Sequence, residues 1–489
     1  MGMATHNFVM IVQRSKYPQM GPLYLSNTLR GFGIKTYLIG SDATSLELDE
    51  LIGSTDPIAI GCSVMTAPEI AQFIAHSLHV QEKYNKQRRL TLPVIWGGMH
   101  STIVSKRTVA ESYIDYVVSG EAEIALPKLL LGIIAGVYPE RKLIQVVTPT
   151  HLDSYQPDWG GVDVTKFLFP ESHSVHVNVD AENSKQNIFY YLISSRGCTY
   201  KCNFCWEVAR TAALRAEQEA SGTTVDLSWR SHSLAWITDQ LDIVSATLAT
   251  SGRTMDGVGF WDDMIFGRGN NPAHLDRAHS IFSLMRDRSF GYLLEARAGQ
   301  LIRRTSCWNK ATSREADLYH FLKETGCMQV FVGTESANQE TLNMIQKGTK
   351  VTDYRRLVEL SHDVGLPLRF SMIVGFPNET DTSVNQTLDF IEELEGEPFV
   401  SVSGPKLFTP YPGVPQFDAA VVRGLVVPTD TLGWAYLDRY ADYRGVYPWL
   451  EENLSPATLR RIDTCFEAVS PEKNHAVDEE LVRKMVRGH

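Results

Sequence analysis

The sequence has no apolar run long enough to cross a bilayer. The longest one, at residues 129–137, has less than half of the roughly 20 residues that a transmembrane helix needs. A cleavable signal pattern is also absent, and His6 stands where a myristoylation motif requires Ser or Thr. We therefore expect a cytoplasmic protein with no membrane span.

An excess of positive charge is missing too. The chain has 46 Lys and Arg residues against 57 Asp and Glu, and its formal net charge is −11. This balance argues against a broad phosphate-binding surface, so we expect no nucleic-acid partner. No tract is biased enough to indicate disorder, and 489 residues suffice for two or three domains.

Cysteine is scarce, with seven residues in the whole chain. Small secreted domains instead have a dense, even-numbered set of cysteines that forms a disulfide framework. Four cysteines stand alone, and a buried small hydrophobe is the usual role of such residues; they are Cys62, Cys307, Cys327 and Cys465. The other three fall within eight positions in a C-x3-C-x2-C pattern: Cys198, Cys202 and Cys205.

Three clustered thiolates restrict the choice of metal. A structural zinc site would need a fourth Cys or His ligand, and no His lies between Cys198 and His232. A catalytic zinc with three protein ligands is an alternative. Thiolates also suit iron and sulfide, and a cubane iron–sulfur cluster on three cysteines leaves one iron open to a small molecule. The spacing favours this cluster.

The first part of the chain alternates between short apolar segments and amphipathic patterns. Strands are predicted at 7–15, 57–64, 91–98 and 114–120, and helices at 21–33 and 67–84. This alternation predicts a doubly wound, Rossmann-like parallel sheet. In such sheets ligands bind beyond the carboxyl ends of the strands, where the following residues fall: Ser63, Gly97, Gly98, His100 and Gly120.

A second series of strands and helices begins near residue 188. Its six βα units predict a partial or full parallel barrel with an active site at the strand carboxyl ends. The cysteine cluster directly follows the first of these strands. We therefore divide the α/β chain into four parts: a Rossmann-like domain (1–150), a linker (151–187), a partial (βα)6 barrel (188–417) and a mostly helical C-terminal region (418–489), a possible substrate cap.

The cysteine segment SSRGCTYKCNFCWE, at 194–207, resembles the cluster motif of the radical S-adenosylmethionine enzymes. FWDDMIF (260–266) and the segments at 331–350, 373–380 and 408–415 are similar to successive strand-end motifs of that family. The resemblance implies a [4Fe–4S] cluster whose open iron binds S-adenosylmethionine and whose electron cleaves it to a 5′-deoxyadenosyl radical. It also implies a small-molecule substrate and an electron donor such as flavodoxin or ferredoxin.

The same resemblance implies contacts to S-adenosylmethionine. The backbone at Phe204 would meet the adenine, and Asp262 or Asp263 would receive the methionine ammonium. Arg297 would pair with the methionine carboxylate, and Glu335 would accept from the ribose hydroxyls. Helix capping or solvation is the alternative role of the two aspartates.

Four nearby polar residues receive no such role. We expect Lys347 and Ser336 to be structural. The segment at 371–379 departs from a common pattern of the family, since it has Ser371 and places Glu379 one position late. We assign a contact to neither residue.

Residues 7–128 resemble the cobalamin-binding domain that precedes many radical S-adenosylmethionine enzymes. The matching segments are GPLYLSNTLRGFG, AIGCSVMT, VIWGGMHST and YVVSGEAE. The resemblance implies a cobalamin groove lined by Ser63, Gly97, Gly98, His100 and Glu121. A tight turn is the alternative reading of the two glycines. No Asp-x-His-x-x-Gly loop is present, which implies a lower axial cobalt site without that histidine.

Together the two resemblances imply a cobalamin-dependent methyltransferase. It would act on an unactivated carbon, or a phosphinate phosphorus, of a small biosynthetic intermediate. One alternative is a radical enzyme of the same architecture that rearranges or cyclises its substrate without methyl transfer. Another is a non-catalytic iron–sulfur or corrinoid sensor, which would not need the strand-end motifs for S-adenosylmethionine.

Overall fold

The computed structural model describes residues 6–14, 19–85, 92–144, 147–161, 189–222, 225–250, 254–255, 257–267, 271–302, 316–437 and 446–469. Cys307, most of the predicted linker and the last part of the predicted C-terminal region lie outside these ranges. No helix in the described ranges is both long and apolar enough to cross a membrane.

The N-terminal domain is a parallel sheet of six strands in the order β2-β1-β3-β4-β5-β6. Its strands are β1 (His6–Val12), β2 (Ile34–Gly40), β3 (Ile60–Ser63), β4 (Val94–Gly97), β5 (Tyr116–Val118) and β6 (Leu143–Ile144). Its helices are α1 (Met20–Gly31), α2 (Ser45–Thr55), α3 (Ile70–Val80), α4 (Met99–Ile103), α5 (Ser105–Thr108) and α6 (Ala125–Ile134). The strand order reverses between β1 and β3, and this switch point opens a crevice at their carboxyl ends.

Four of these strands coincide with the predicted ones. They are buried on both faces and therefore read as continuous apolar runs. The edge strand β2 was not predicted, because its residues alternate between buried and partly exposed positions and give a weaker apolar signal. The short edge strand β6 was also missed.

The second domain is a parallel sheet of six strands in the order β14-β13-β12-β11-β10-β7. Its strands are β7 (Phe189–Leu192), β10 (Gly257–Phe260), β11 (Gly291–Arg297), β12 (Cys327–Glu335), β13 (Leu368–Val374) and β14 (Val400–Leu407), with the antiparallel pair β8 (Ser195–Arg196) and β9 (Arg230–Ser231). Its helices are α7 (Trp206–Ser221), α8 (Leu234–Ala249), α9 (Pro272–Asp287), α10 (Ala316–Glu324), α11 (Gln339–Met344), α12 (Val351–Val364) and α13 (Asp381–Leu394). Within the described residues β7 and β14 are the edges, so the barrel is partial.

The two faces of this sheet have different environments. On β11, the Tyr292 ring stacks on Phe282 of α9 with ring centroids 5.0 Å apart, so this side faces the helices. Leu294 is buried on the same side, whereas Glu295 points to the concave side and is exposed. These observations confirm the predicted α/β architecture with a partial barrel.

The region after residue 415 contacts both domains. It contains α14 (Pro415–Val422), α15 (Pro448–Asn453) and α16 (Pro456–Val469), with a 3₁₀ turn at Leu432–Tyr436. The Trp449 indole donates to the Gly375 carbonyl at 2.9 Å, beyond the end of β13. The Glu111 carboxylate of the N-terminal domain accepts from the Thr431 hydroxyl at 2.7 Å. This region therefore braces one side of the barrel mouth, while its role as a substrate cap stays a prediction.

A group of largely buried ion pairs joins the two domains. Arg196 on β8 contacts Glu121 at 3.0 Å and Glu123 at 2.6 Å, and Arg230 on β9 also pairs with Glu121. Burial by itself favours the neutral form of Glu121, but the charges of Arg196 and Arg230 outweigh it and lower the pKa of this carboxyl. A second connection is made by Glu217 of α7, which accepts from the Ser105 hydroxyl at 2.7 Å.

Removal of one partner of this group is expected to destabilise the protein. Arg230→Met leaves Glu121 with a single cation in a buried place, and we expect a loss of about 3 kcal/mol in the free energy of unfolding. Arg288→Met, which breaks an ion pair with Asp242 on the surface, should cost less than about 1 kcal/mol. Urea unfolding followed by circular dichroism measures both. If both substitutions lower the free energy of unfolding equally, the ion pairs between the domains contribute no more stability than an exposed pair does.

Candidate functional site

A cavity lies between the strand ends of the N-terminal domain and the barrel mouth. It contains about 1350 Å³ of empty space, part of it open to solvent, and both domains line it. Four of the residues predicted for a cobalamin groove are in its wall: Ser63, Gly97, Gly98 and Glu121. The barrel contributes Ser195, Arg196, Gly197 and Asp263, and Trp206 at the start of α7.

The backbone requires glycine at some positions of the cavity wall and not at others. Gly98 has a φ of +90°, and a Cβ there would stand 2.7 Å from the Val64 amide nitrogen, so its own backbone requires glycine. At Gly97 a Cβ would meet nothing closer than the Val118 carbonyl oxygen at 3.4 Å, and at Gly21 it would meet nothing within 4 Å. These two glycines leave the cavity wall bare without a steric need inside the protein, which fits a wall that a bulky ligand approaches closely.

His100 is not in the cavity, in contrast to the expectation. It is buried, its Nδ1 lies 3.2 Å from the Thr66 hydroxyl, and its ring packs against Trp434. Burial lowers the pKa of His100 to about 3, so the ring is neutral. The tight turn at Gly98 begins α4, and this helix carries His100 away from the strand ends.

The three clustered cysteines lie in the loop between β8 and α7. The loop is anchored to the C-terminal end of α11. The Asn203 backbone amide donates to the Ile345 carbonyl at 3.1 Å, and its side chain donates to the Met344 carbonyl at 2.7 Å. All three thiols are free. Burial raises the pKa of Cys198 to about 11 and that of Cys205 to about 12.

These thiols influence one another's charge, since Cys202 adds to the effect of burial in raising the pKa of both Cys198 and Cys205. In the described ranges no group of three or more His, Cys, Asp or Glu side chains is arranged to hold a single metal ion. A cluster is larger than an ion and is held by thiolates that stand further apart. Three cysteines in one loop are the ligand set expected of a cluster that leaves one iron open.

Arg297 lies directly beside the cysteine loop. Its guanidinium is 2.8 Å from the Cys202 sulfur, stacks over the Tyr200 ring at 3.7 Å and donates to the Lys347 carbonyl. Phe204, also in the loop, packs edge-on against Phe376 with ring centroids 5.6 Å apart. The end of β11 is thus brought to the cysteines, as the barrel topology predicts.

Glu335 ends β12 in a strained conformation. Its φ is +66°, and the pairing of β12 with β13 shifts register between Gly333 and Glu335. Its carboxylate pairs with the Lys347 ammonium at 2.6 Å. A Cβ at Gly333 would stand 2.9 Å from both charged groups, so glycine makes room for this pair. Strained residues that the surroundings hold in place are typical of functional sites.

The two neighbouring aspartates differ in their environment. Asp262 is fully buried and accepts hydrogen bonds from the Ser194 amide at 3.2 Å, the Ser194 hydroxyl at 2.9 Å and the Ser195 hydroxyl. Asp263 lines the cavity. Burial, with a smaller effect of Glu207, raises the pKa of Asp263 to about 7. Of the two, only Asp263 is open to a ligand.

Three further residues at the site received no functional role from the sequence. Lys347, expected to be structural, is the partner of Glu335. Arg196 was not singled out, although it stands two positions before Cys198 and opposite the acidic pair in GEAE, a charge pattern that could have indicated it. Glu379, which received no contact, accepts from the Gly375 and Phe376 amides at 2.7 and 3.0 Å, and burial raises its pKa to about 7.

Comparisons with known proteins agree with this architecture. A B12-binding-domain model matches residues 7–130, and a radical SAM superfamily model matches residues 192–391. The chain is 25% identical over 438 residues to the uncharacterized methyltransferase PH0819 of Pyrococcus horikoshii, with 85% of this chain and 81% of the relative covered. It is 22% identical over 426 residues to the anaerobic magnesium-protoporphyrin IX monomethyl ester cyclase of Rubrivivax gelatinosus, covering 81% and 65%.

Two solved structures share the fold. The cobalamin-dependent S-adenosylmethionine radical enzyme OxsB, with aqua-cobalamin and S-adenosylmethionine bound, superposes with a TM-score of 0.59 at 19% identity, over 82% of this chain and 53% of OxsB. The radical S-adenosylmethionine methyltransferase TsrM of Kitasatospora setae, with cobalamin and a [4Fe–4S] cluster bound, gives a TM-score of 0.60 at 16% identity, over 99% and 100%.

These findings confirm the predicted pair of domain families, the enzymatic nature of the protein and its three cofactors: a [4Fe–4S] cluster, S-adenosylmethionine and cobalamin. The sensor alternative is thereby set aside. The domain boundaries and the individual ligand contacts stay predictions.

The cysteine loop offers a direct test of the cluster. Replacement of Cys198, Cys202 and Cys205 together by Ala should abolish iron and sulfide binding after anaerobic reconstitution. Circular dichroism should still show a folded protein, because the core of the barrel does not include this loop. Cys465→Ala, at a partly buried position in α16, serves as the control and should retain iron. Full iron content in the triple variant would refute this ligand assignment.

Proposed function

The chain is a cobalamin-dependent radical S-adenosylmethionine enzyme, and on this premise we propose that it transfers a methyl group to an unactivated centre of a small molecule. This centre is a carbon or a phosphinate phosphorus of a biosynthetic intermediate. A flavodoxin- or ferredoxin-type protein is the proposed electron donor.

The observation that carries this proposal is the wall shared by the cavity and the cysteine loop. Gly197, immediately before Cys198, and Trp206, immediately after Cys205, both line the cavity. A corrin in the cavity would therefore lie against the loop that holds the cluster. Methyl transfer requires such closeness, because the methyl donor must reach the substrate radical generated at the barrel mouth.

The residues around the cavity are suited to cobalamin that lacks a protein histidine ligand. None of the residues that form the cavity wall in the described ranges is a histidine, and His100 is turned away from it. We propose that Ser63, Gly97, Gly98 and Glu121 contact the cofactor. When bound, cobalamin supplies the methyl group that the reaction transfers.

On the barrel side, Cys198, Cys202 and Cys205 would hold the cluster. We propose that Asp263, and not Asp262, receives the ammonium of S-adenosylmethionine, because the Asp262 carboxylate is already occupied by serine donors. Arg297 would pair with the methionine carboxylate and Glu335 would accept from the ribose. The Phe204 backbone would meet the adenine. The cluster and S-adenosylmethionine together supply the radical that removes a hydrogen atom from the substrate.

Cyclisation without methyl transfer is the second candidate. It is favoured by the relative named as an anaerobic magnesium-protoporphyrin IX monomethyl ester cyclase, which aligns with 81% of this chain. A cyclase and a methyltransferase would use the same radical, so they differ in whether S-adenosylmethionine also donates its methyl group.

A labelling experiment separates the two candidates without knowledge of the substrate. Reduced holoenzyme, loaded with cobalamin, is incubated anaerobically with S-adenosylmethionine that carries a deuterated methyl group. Methyl transfer predicts S-adenosylhomocysteine and recovery of the label with the corrinoid extracted from the protein. Formation of 5′-deoxyadenosine alone, with neither S-adenosylhomocysteine nor label, would reject methyl transfer and favour cyclisation. A protein that binds no cobalamin would contradict both.

A further inference from the structure

One arginine extends from an outer helix of the second domain to the segment that follows the first strand. Arg277 lies on α9, whose buried face is apolar and packs against the sheet. Its Nη2 donates to the Ser194 carbonyl at 2.6 Å and to the Ser194 hydroxyl at 3.0 Å, and its Nε donates to the His232 carbonyl at 3.2 Å. Within the described part of the chain this guanidinium forms no ion pair with a carboxylate. Its direct partners are therefore neutral.

The strand register places Ser194 opposite Asp262. Leu192 on β7 pairs with Phe260 on β10, and Ser194 and Asp262 each lie two positions further along the chain. Both are buried, and the Asp262 carboxylate accepts from the Ser194 amide at 3.2 Å and from the Ser194 hydroxyl at 2.9 Å. Ser194 therefore stands between the guanidinium of α9 and a buried carboxylate.

The chemistry of the three groups fixes the direction of their hydrogen bonds. A guanidinium can only donate, so the Ser194 hydroxyl accepts from Arg277 and its single proton is left for Asp262. Burial raises the pKa of the Asp262 carboxyl, and the positive charge of Arg277 is the largest effect that opposes this rise. No cation contacts Asp262 directly among the described residues. Arg277 thus compensates the buried carboxylate through Ser194.

A second carboxylate, Asp153, acts on Arg277 from the protein surface. The Asp153 side chain is 44% exposed, lies 3.2 Å from His232 Nδ1 and accepts from the Ser233 amide at 3.0 Å. Water screens an exposed charge, so it compensates Arg277 less than the buried Asp262 does. The main counter-charge of Arg277 is therefore Asp262.

Arg277 also supports the residue on the other side of Asp263. Its guanidinium lies over the Trp229 ring, 5.7 Å from the centroid, which is within the range of a cation–π contact. The Trp229 indole donates to the Met264 carbonyl at 3.0 Å. Asp262 and Met264 are the two neighbours of Asp263 in the chain. Groups that contact Arg277 therefore hold both ends of the turn that carries Asp263.

The acidic surroundings of Asp263 make this support important. Besides burial, the negative charges of Glu207 and Asp262 raise the pKa of Asp263, whereas Arg210 lowers it. Glu295 is a further carboxyl on which both aspartates act. A cation behind Asp262 reduces the repulsion within this group, so that Asp263 can stay at the cavity wall.

We propose that Arg277 is a positioning residue for S-adenosylmethionine: through Ser194 and Trp229 it holds the turn from which Asp263 receives the ammonium group. The inference rests on the role proposed above for Asp263. Arg277 is not among the residues that line the cavity, so it acts through the turn and not on the ligand. Without it, Asp262 would be a buried carboxylate with no compensating cation, and the turn would rearrange to relieve this cost.

Calorimetric titration of the anaerobically reconstituted holoenzyme with S-adenosylmethionine tests this role. No reductant is present, so that turnover does not consume the ligand. Arg277→Met and Asp263→Asn should each weaken binding about tenfold, the size of a lost charged hydrogen bond. Arg286→Met removes the same charge from an exposed position of α9. It is the matched control and should bind as the wild type does.

Two double variants separate positioning from general damage to the fold. In the Asp263→Asn background, Arg277→Met should weaken binding by less than about twofold more, because the group that it positions is already lost. Asp262→Asn should restore the affinity of Arg277→Met to within about threefold of wild type, since no uncompensated charge then stays buried. Iron content and circular dichroism show that each variant is folded and holds its cluster.

Unchanged affinity in Arg277→Met or in Asp263→Asn would overturn the inference, as would additive losses in their double variant or no recovery with Asp262→Asn. If Arg277→Met does not take up iron, Ser194→Ala replaces it, since it removes only the connecting hydroxyl. Ser194→Ala should then weaken binding at least about threefold, and wild-type affinity would overturn the inference.

Failure of the proposed function has a different signature. It would be read in the wild-type holoenzyme under reducing conditions, as a lack of S-adenosylhomocysteine and of label transfer. Binding without reductant does not depend on that outcome, because a methyltransferase and a cyclase would both bind S-adenosylmethionine.

Discussion

The buried ion pairs of Arg196 and Arg230 with Glu121 and Glu123 determine how the two domains meet. Charges removed from water are costly and gain little net stability unless well paired, so such groups fix geometry more than they add stability. Arg196 stands two positions before Cys198, and Glu121 lies in the cavity wall. The same contacts therefore position the cysteine loop and close the cavity that faces it.

This arrangement places the cavity between the domains and the cysteine loop beside the same barrel mouth. The cysteine loop is held on one side by Asn203, which donates a hydrogen bond to the C-terminal end of α11, and on the other by α7, which contacts the N-terminal domain through Glu217. The loop cannot shift relative to the cavity without the loss of these contacts.

Features that depend on the local sequence pattern could be predicted from the sequence. The alternation of strands and helices predicted both sheets, and the spacing of Cys198, Cys202 and Cys205 predicted a cluster before any geometry was known. It could not distinguish Asp262 from Asp263, because neighbouring residues in a strand-end turn point in different directions and only the packing of Ser194 decides which is buried. The position of His100 depended on the course of the chain after the Gly98 turn. The ion pairs of Arg196 arise only when the domains dock, which brings together residues distant in sequence.

Anomalous diffraction from anaerobic crystals of the reconstituted protein, recorded at the cobalt and iron absorption edges, would locate both metals relative to the cavity and the cysteine loop. We expect one cobalt site in the cavity beside Gly97 and one iron cluster on Cys198, Cys202 and Cys205, with Gly197 and Trp206 between the two. Cobalt bound outside this cavity, or iron held by other residues, would contradict it.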